Sequence, residues 1–281
     1  MSPPRLITGL SEIARDHDAL ICDIWGVVHN GHAPFPEAAE ALRRFRRTHG
    51  PVVLLSNAPR PPGSVEDQFR RMGVATDCYD AIVTSGGAAR EDLAARAERE
   101  KSLALYYIGP EQDTGLLEGI AVTRVGIDRA DVALCVGLAD DLTETPDDYS
   151  DILAAMRARN LTMLCANPDL KVYRGSQLCW CAGALAKAYE AIGGPVTYYG
   201  KPYPVIYDGA LKAAGRPKKA LAIGDALVTD LRGAQDAGLE ALFIADGLHG
   251  EEIEPYTAQH LDDMFAAANV RAKAAMRALR W

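Results

Sequence analysis

Short, continuous apolar runs alternate with helix-patterned stretches along the whole chain. No other feature restricts the fold as much. A run that is apolar on both faces must be covered on both faces. The helices between successive runs supply that cover, which is the logic of a parallel α/β sheet. The first run, Ala19–Ile24, is broken only by Cys22 and Asp23. Pro36 and Glu37 open a helix to about Thr48, Gly50 stops it, and Pro51–Ser56 is the second run. Pro61 and Pro62 restart a helix that ends near Gly73, and Ile82–Thr84 is a short strand. Ser85-Gly86-Gly87 then precedes a charged, Ala-rich helix to about Arg99.

Beyond that helix the texture changes. Strands are expected at Leu103–Ile108, Ile120–Val125, Val132–Val136 and Leu161–Ala166, with helices over Tyr149–Arg159 and Ala182–Ala191. The first pattern then resumes with strand Val196–Tyr199, helix Pro204–Ala214, strand Ala220–Ile223, helix Thr229–Ala237 and strand Ala241–Ile244. One α/β domain is thus interrupted by another. Residues 1–84 and 195–281 form the host, and 85–194 the insert.

Composition narrows the function. A chain of 281 residues, 48% hydrophobic and 24% charged, has the make-up of a globular protein of one or two domains. A net charge of -8 argues against a nucleic-acid partner, which clustered Lys and Arg would hold. No apolar run reaches the ~20 residues of a membrane span, and Met1–Leu10 lacks the apolar block of a secretory signal. A cytoplasmic protein with no membrane partner is expected; homo-oligomerisation is left open. Arg271, Lys273, Arg277 and Arg280 read as the solvated face of a terminal helix. Cys22, Cys135 and Cys165 sit in strand-like runs, and Cys179 and Cys181 have neither zinc nor redox spacing, so the six cysteines read as structural thiols.

Several strands end in residues a core would reject: Asp23 at the first, Ser56-Asn57 at the second, Gly224-Asp225 at a late one. Lys201 follows a fourth. Singly, each has a plain explanation as turn residue, helix cap or surface lysine. Together they occupy the region where open parallel sheets bind ligands, outside the carboxyl ends of the strands. The residue types suit phosphoryl transfer. A carboxylate can attack and form a covalent aspartyl intermediate, while Mg²⁺, a lysine and a hydroxyl neutralise the transferring group.

Asp23-Ile24-Trp25-Gly26-Val27-Val28, Ser56-Asn57, Gly200-Lys201-Pro202 and Gly224-Asp225-Ala226-Leu227-Val228-Thr229-Asp230 resemble, in order, the four motifs of the haloacid dehalogenase superfamily. Pro34-Phe35-Pro36, Thr84-Ser85-Gly86 and Asn167-Pro168-Asp169 are similar to its class IIA, NagD-like branch of sugar-phosphate and nucleotide phosphatases. The resemblance spans residues 15 to 250. It implies a doubly wound, Rossmann-like parallel-sheet core with an inserted α/β cap of the C2 type, Mg²⁺ as cofactor and a small phosphorylated metabolite as substrate. By position, Asp23 would be nucleophile and metal ligand, with the Trp25 carbonyl and Asp225 as further ligands. Asp230 would sit behind the metal. Ser56 and the Asn57 amide would hold phosphate oxygens, and Lys201 would bridge nucleophile and phosphate. Asn167 and Arg174 are further candidates, cap residues that could face the substrate.

One position departs from the pattern. Phosphatases of this superfamily usually carry an acid/base aspartate two residues after the nucleophile, where this chain has Trp25. An indole nitrogen only donates, and losing a positioned acid/base costs about 10²–10⁴-fold in rate. Slow hydrolysis of phosphate monoesters is therefore the leading expectation. A phosphate-ligand binding protein and a dehalogenase-like C–X hydrolase are the rivals. His29 could replace the missing group, although a loop histidine is the plainer reading. Arg60 could assist with phosphate or be a solvated loop residue.

Overall fold

The computed structural model describes residues 3–174, 177–247 and 253–281. The chain begins with β1 (Arg5–Leu6), β2 (Ala19–Asp23), helix α1 (Pro36–Thr48), β3 (Val52–Ser56), α2 (Pro62–Met72), β4 (Ala81–Thr84) and α3 (Ser85–Glu100). There follow β5 (Leu103–Ile108), β6 (Val122–Arg124), β7 (Val132–Cys135), α4 (Ser150–Ala158), β8 (Met163–Cys165), β9 (Lys171–Arg174), β10 (Gln177–Trp180), α5 (Ala182–Ala191) and β11 (Val196–Tyr198). The last part holds α6 (Pro204–Ala213), β12 (Ala220–Gly224), α7 (Arg232–Asp236), β13 (Glu240–Ile244), α8 (Ala258–Ala267) and β14 (Ala274–Met276).

The chain divides into two compact units. One comprises Met1–Ser56, Pro62–Val83 and Lys201–Trp281, the other Asn57–Pro61 and Thr84–Gly200. The first unit is built on a seven-stranded sheet of order β1-β14-β13-β12-β2-β3-β4. The β2 pairings with β3 and β12 are both parallel. From β2 the sheet grows one way through β3 and β4, and the other way through β12 and its successors. The strand order therefore reverses at β2, the switch point at which such sheets open a crevice. Every residue of β2 and β12 is buried, as expected of central strands covered on both faces. Ile206, Tyr207 and Ala210 of α6 pack on Ile21, Val53 and Leu55. Further along the sheet, Phe243 of β13 meets Phe265 of α8 edge to face at 5.2 Å, a geometry contributing about 0.5–1.5 kcal/mol beyond its buried area. Helix α1 buries Ala38, Ala41, Leu42 and Phe45 at helical spacing. On the same helix Arg43 and Arg46 form ion pairs with Asp77 and Asp80.

The second unit has a five-stranded sheet of order β11-β8-β7-β5-β6, parallel at every pairing, and an antiparallel hairpin of β9 and β10. Ala89, Leu93 and Ala97 of α3 share a core with Leu105, Leu134 and Leu164 of the sheet. Thr84 caps α3, its Oγ1 accepting from the Gly87 N–H at 2.9 Å. Among the described residues no helix is long and apolar enough to cross a membrane, and none of the six cysteines forms a disulfide.

Two expectations fail. The strand at Val196–Tyr198 does not rejoin the first sheet; it pairs in register with Met163–Cys165 in the second. A three-residue apolar run specifies burial but carries no information about its partner. The basic residues near the end lie on no helix. Ala274–Met276 is a buried strand, and the cations beside it are held in ion pairs: Lys273 with Glu240 and Asp16, Arg277 with Asp246 and Glu254.

Candidate active site

Strand β2 delivers Asp23 to the carboxyl edge of the first unit's sheet, and β12 delivers Asp225 from the adjacent strand. The turn after β12 is a π-helical one, Leu227–Leu231, which carries Asp230. It is held by Tyr207, whose hydroxyl donates to the carbonyls of Thr229 (3.3 Å) and Asp230 (3.2 Å). Lys201 Nζ reaches Asp23 Oδ1 at 2.6 Å and Asp230 Oδ1 at 2.7 Å. The second Asp230 oxygen accepts the Ala226 N–H at 3.1 Å. Ile24 N–H donates to Asp23 Oδ1 at 2.7 Å, fixing the carboxylate against its own backbone. Carboxylate oxygens of Asp23, Asp225 and Asp230 lie within 4.8 Å of one another, and all three residues are buried.

Electrostatics make this arrangement costly without a cation. Burial, and then the neighbouring charge of Asp230, push the Asp23 carboxyl well above the usual range, and Lys201 offsets only part of that. Burial alone would discharge Lys201, but Asp23 and Asp230 more than reverse it, so the ammonium is retained. With all three carboxyl groups ionised, three carboxylates would face one ammonium and leave two negative charges, which suits a divalent cation. An all-oxygen donor set suits Mg²⁺.

Two glycines make room for Asp225. A Cβ on Gly26, which has φ +80°, would overlap the Asp225 carboxylate, and so would one on Gly247. Neither Gly247 nor Tyr207 stands out in the sequence. Gly247 follows Asp246 and reads as a turn glycine, and Tyr207 reads as one more core aromatic.

The other expected residues divide between the units. Ser56 ends β3 half-buried, one residue beyond the Asp23–Leu55 register pair. Asn57 and Asn167 belong to the second unit. There the Asn57 amide nitrogen donates to Asp169 Oδ1 at 2.8 Å, and Asn167 Oδ1 accepts the Asp169 N–H at 3.0 Å. Arg174 lies in β9, and its side chain is outside the described residues. Arg60 pairs with Asp113 at 3.2 Å.

Trp25 is half-buried in the turn after Asp23. His29 is 3% exposed. Its Nδ1 accepts the Gly31 N–H at 2.9 Å, and the ring meets Phe69 edge to face. Burial holds its pKa below the ordinary histidine value. It is a structural loop histidine, neutral and already engaged.

A doubly wound sheet with a buried carboxylate–lysine cluster at its switch point defines an enzyme core of the hydrolase kind. A haloacid dehalogenase-like hydrolase model matches residues 20–122, and a HAD-hydrolase-like model matches 198–268. The structure of a haloacid dehalogenase-like hydrolase from Brucella suis 1330 is 38% identical, covers 98% of this chain and 100% of its own, and superposes with a TM-score of 0.83. The ribonucleotide monophosphatase NagD of Escherichia coli (strain K12) is 28% identical over 82% of this chain and 88% of its own. A glycerol phosphate phosphatase from Mycobacterium tuberculosis, solved in complex with magnesium, is 26% identical over 88% of this chain and 73% of its own, with a TM-score of 0.66. The chain belongs to the haloacid dehalogenase-like hydrolases, in their class IIA, NagD-like branch.

Proposed function

We propose that this protein hydrolyses phosphate monoesters of small metabolites, such as a sugar phosphate or a nucleotide, with Mg²⁺ as cofactor and Asp23 as nucleophile. The observation that carries the reading is Lys201 joining Asp23 and Asp230, with Asp225 in the same buried cluster. Asp23, the Trp25 carbonyl and Asp225 would hold Mg²⁺, and Asp230 would keep Lys201 in place. When bound, Mg²⁺ supplies positive charge against the phosphate oxygens. Asp23 attacks phosphorus to form an aspartyl phosphate, which water then hydrolyses. Lys201 balances the charge that gathers on the transferring group, and Ser56 and the Asn57 amide hold its oxygens. The second unit, residues 85–194 in its main part, would act as the cap, with Asn167 and Arg174 reading the substrate. Support comes from the relatives, whose names describe a ribonucleotide monophosphatase and a magnesium-bound glycerol phosphate phosphatase.

The test is phosphate release over a panel of sugar phosphates, nucleotides and small phosphate esters, with Mg²⁺ and with chelator. Asp23→Asn should abolish turnover while the protein stays folded, because a carboxamide is too poor a nucleophile. Undiminished turnover by that variant excludes the aspartyl route. Trp25 favours one rival, a binding protein, which would take up phosphate ligands with Mg²⁺ and release nothing. A C–X hydrolase would keep its activity in chelator.

A further inference from the structure

Expelling an alkoxide from phosphorus requires a proton donor at the leaving oxygen, since alcohols, like water at about 15.7, hold their protons tightly. Among the described residues of the first unit, the proton-bearing groups of this cluster and of the turn after Asp23 are committed elsewhere. Lys201 is shared between two carboxylates at 2.6 and 2.7 Å. The Tyr207 hydroxyl is given to two main-chain carbonyls. Both oxygens of Asp230 are engaged as hydrogen-bond acceptors. His29 accepts the Gly31 N–H on Nδ1, which leaves a neutral ring with its proton on Nε2, a very weak acid. The Cys22 thiol is buried and directed at the Asp23 carbonyl. Trp25, half-buried beside the nucleophile, offers an indole N–H, which donates hydrogen bonds and does not give up its proton.

We infer that the substrate is a phosphate whose leaving group departs as a stable anion without being protonated: an acyl phosphate, a phosphoanhydride or an aryl phosphate. This rests on the phosphoryl-transfer reading of Asp23 and narrows it. An Asp23 oxygen forms the new O–P bond, the bond from phosphorus to the leaving oxygen breaks, and that oxygen keeps the electron pair. Carboxylates, with conjugate acids near ~4, and phenolates, near ~10, both survive as anions. Water then attacks the aspartyl phosphate, a proton passes to solvent, and inorganic phosphate and the Asp23 carboxylate are regenerated. This second step also lacks a positioned base, so it limits turnover on the most activated substrates.

The experiment is a leaving-group series on the full chain with Mg²⁺: acetyl phosphate, inorganic pyrophosphate, 4-nitrophenyl phosphate, phenyl phosphate and glycerol phosphate. The first four separate the acyl, anhydride and aryl sources; the last is the alkyl reference. We expect kcat/KM to fall by at least about 10²-fold from the favoured activated substrate to glycerol phosphate, the smallest factor a positioned acid contributes. Acetyl phosphate should give a burst of product before the steady state. Trp25→Asp should raise the rate on glycerol phosphate far more than on acetyl phosphate. Should that variant not fold, the wild-type series decides alone. Activated and alkyl phosphates turned over within tenfold of each other would overturn the leaving-group inference and leave the phosphatase reading standing. Release from none of the five would overturn both.

Discussion

Asp225 is held in place by the absence of two side chains, and substituting those glycines should separate backbone strain from loss of the metal ligand. With alanine at Gly247, the new Cβ would stand 2.6 Å from the Asp225 carboxyl carbon. The Asp225 Oδ2, at 2.1 Å, would have to retreat by more than roughly 1 Å to reach ordinary van der Waals contact. Mg²⁺ demands near-ideal octahedral geometry at about 2.0–2.1 Å, so such a shift should weaken its binding by about 10–100-fold, as loss of ligand support does elsewhere. At saturating Mg²⁺ that removes about 1.4–2.7 kcal/mol of metal-linked stability. Gly73→Ala is the control. Gly73 has φ +73° and open space where its Cβ would go, so the change should cost about 1–2 kcal/mol of strain and leave the Mg²⁺ increment intact. Gly26→Ala, at φ +80° and 2.9 Å from the same carboxyl carbon, should show both losses. Denaturation midpoints with and without Mg²⁺, alongside calorimetric titration, read the two terms separately. A Gly247→Ala protein that binds Mg²⁺ like wild type would refute the placing of Asp225 at the metal.

The stabilisation by Mg²⁺ should grow with pH. The Asp23 carboxyl is raised in the metal-free fold. Its contribution is therefore fully present below the unfolded value of 3.8 and is lost as pH climbs through the folded value. Mg²⁺ bound to the ionised form would restore it, so the gap between loaded and metal-free melting temperatures should widen as pH rises above the unfolded value of 3.8; a constant gap contradicts the assignment. In the second unit, Thr84→Ala removes a cap that accepts the Gly87 N–H at 2.9 Å and donates to the Arg60 carbonyl at 2.6 Å. It should cost about 1–2 kcal/mol in urea denaturation, most of it recovered by Thr84→Ser; equal losses in both variants would locate the effect in the methyl group instead.

The host sheet was readable in the sequence because its central strands are buried on both faces and so appear as unbroken apolar runs. In such a run, a terminal Asp or Ser-Asn marks a place where the chain does not optimise its core. That is why Asp23, Ser56 and Asp225 are legible in the sequence alone. The hairpin of β9 and β10 was not readable for the opposite reason. Tyr173 and Leu178 are 53% and 47% exposed, so their apolarity marks no core and Lys171 interrupts the pattern. Partner identity was also hidden, as β11 illustrates, since pairing is settled by packing across the whole unit. The role of His29 depended on a hydrogen bond to Gly31, two residues away, and on Phe69, forty residues away. Only the first of these is local.

The cluster's order along the chain has a consequence for stability. Asp23 ends β2, early in the host unit, whereas Lys201, Asp225 and Asp230 arrive only after the intervening unit has been traversed. In the unfolded chain Asp23 is a solvated carboxylate, and it is the pairing of β12 with β2 that brings it beside Asp225. Folding buries it with two like charges and one cation, and desolvation can outweigh the attraction within such groups. The first unit must therefore carry this site on its hydrophobic contacts, chiefly the Ile21, Val53, Leu55 and Ile206 cluster directly under β2 and β3. A site that strains its own fold in the absence of a cation, and is relieved by one, is poised to bind the metal and an anionic substrate together. Mg²⁺ would offset the two surplus negative charges that three ionised carboxylates leave beside Lys201, and so ease the approach of an anionic substrate.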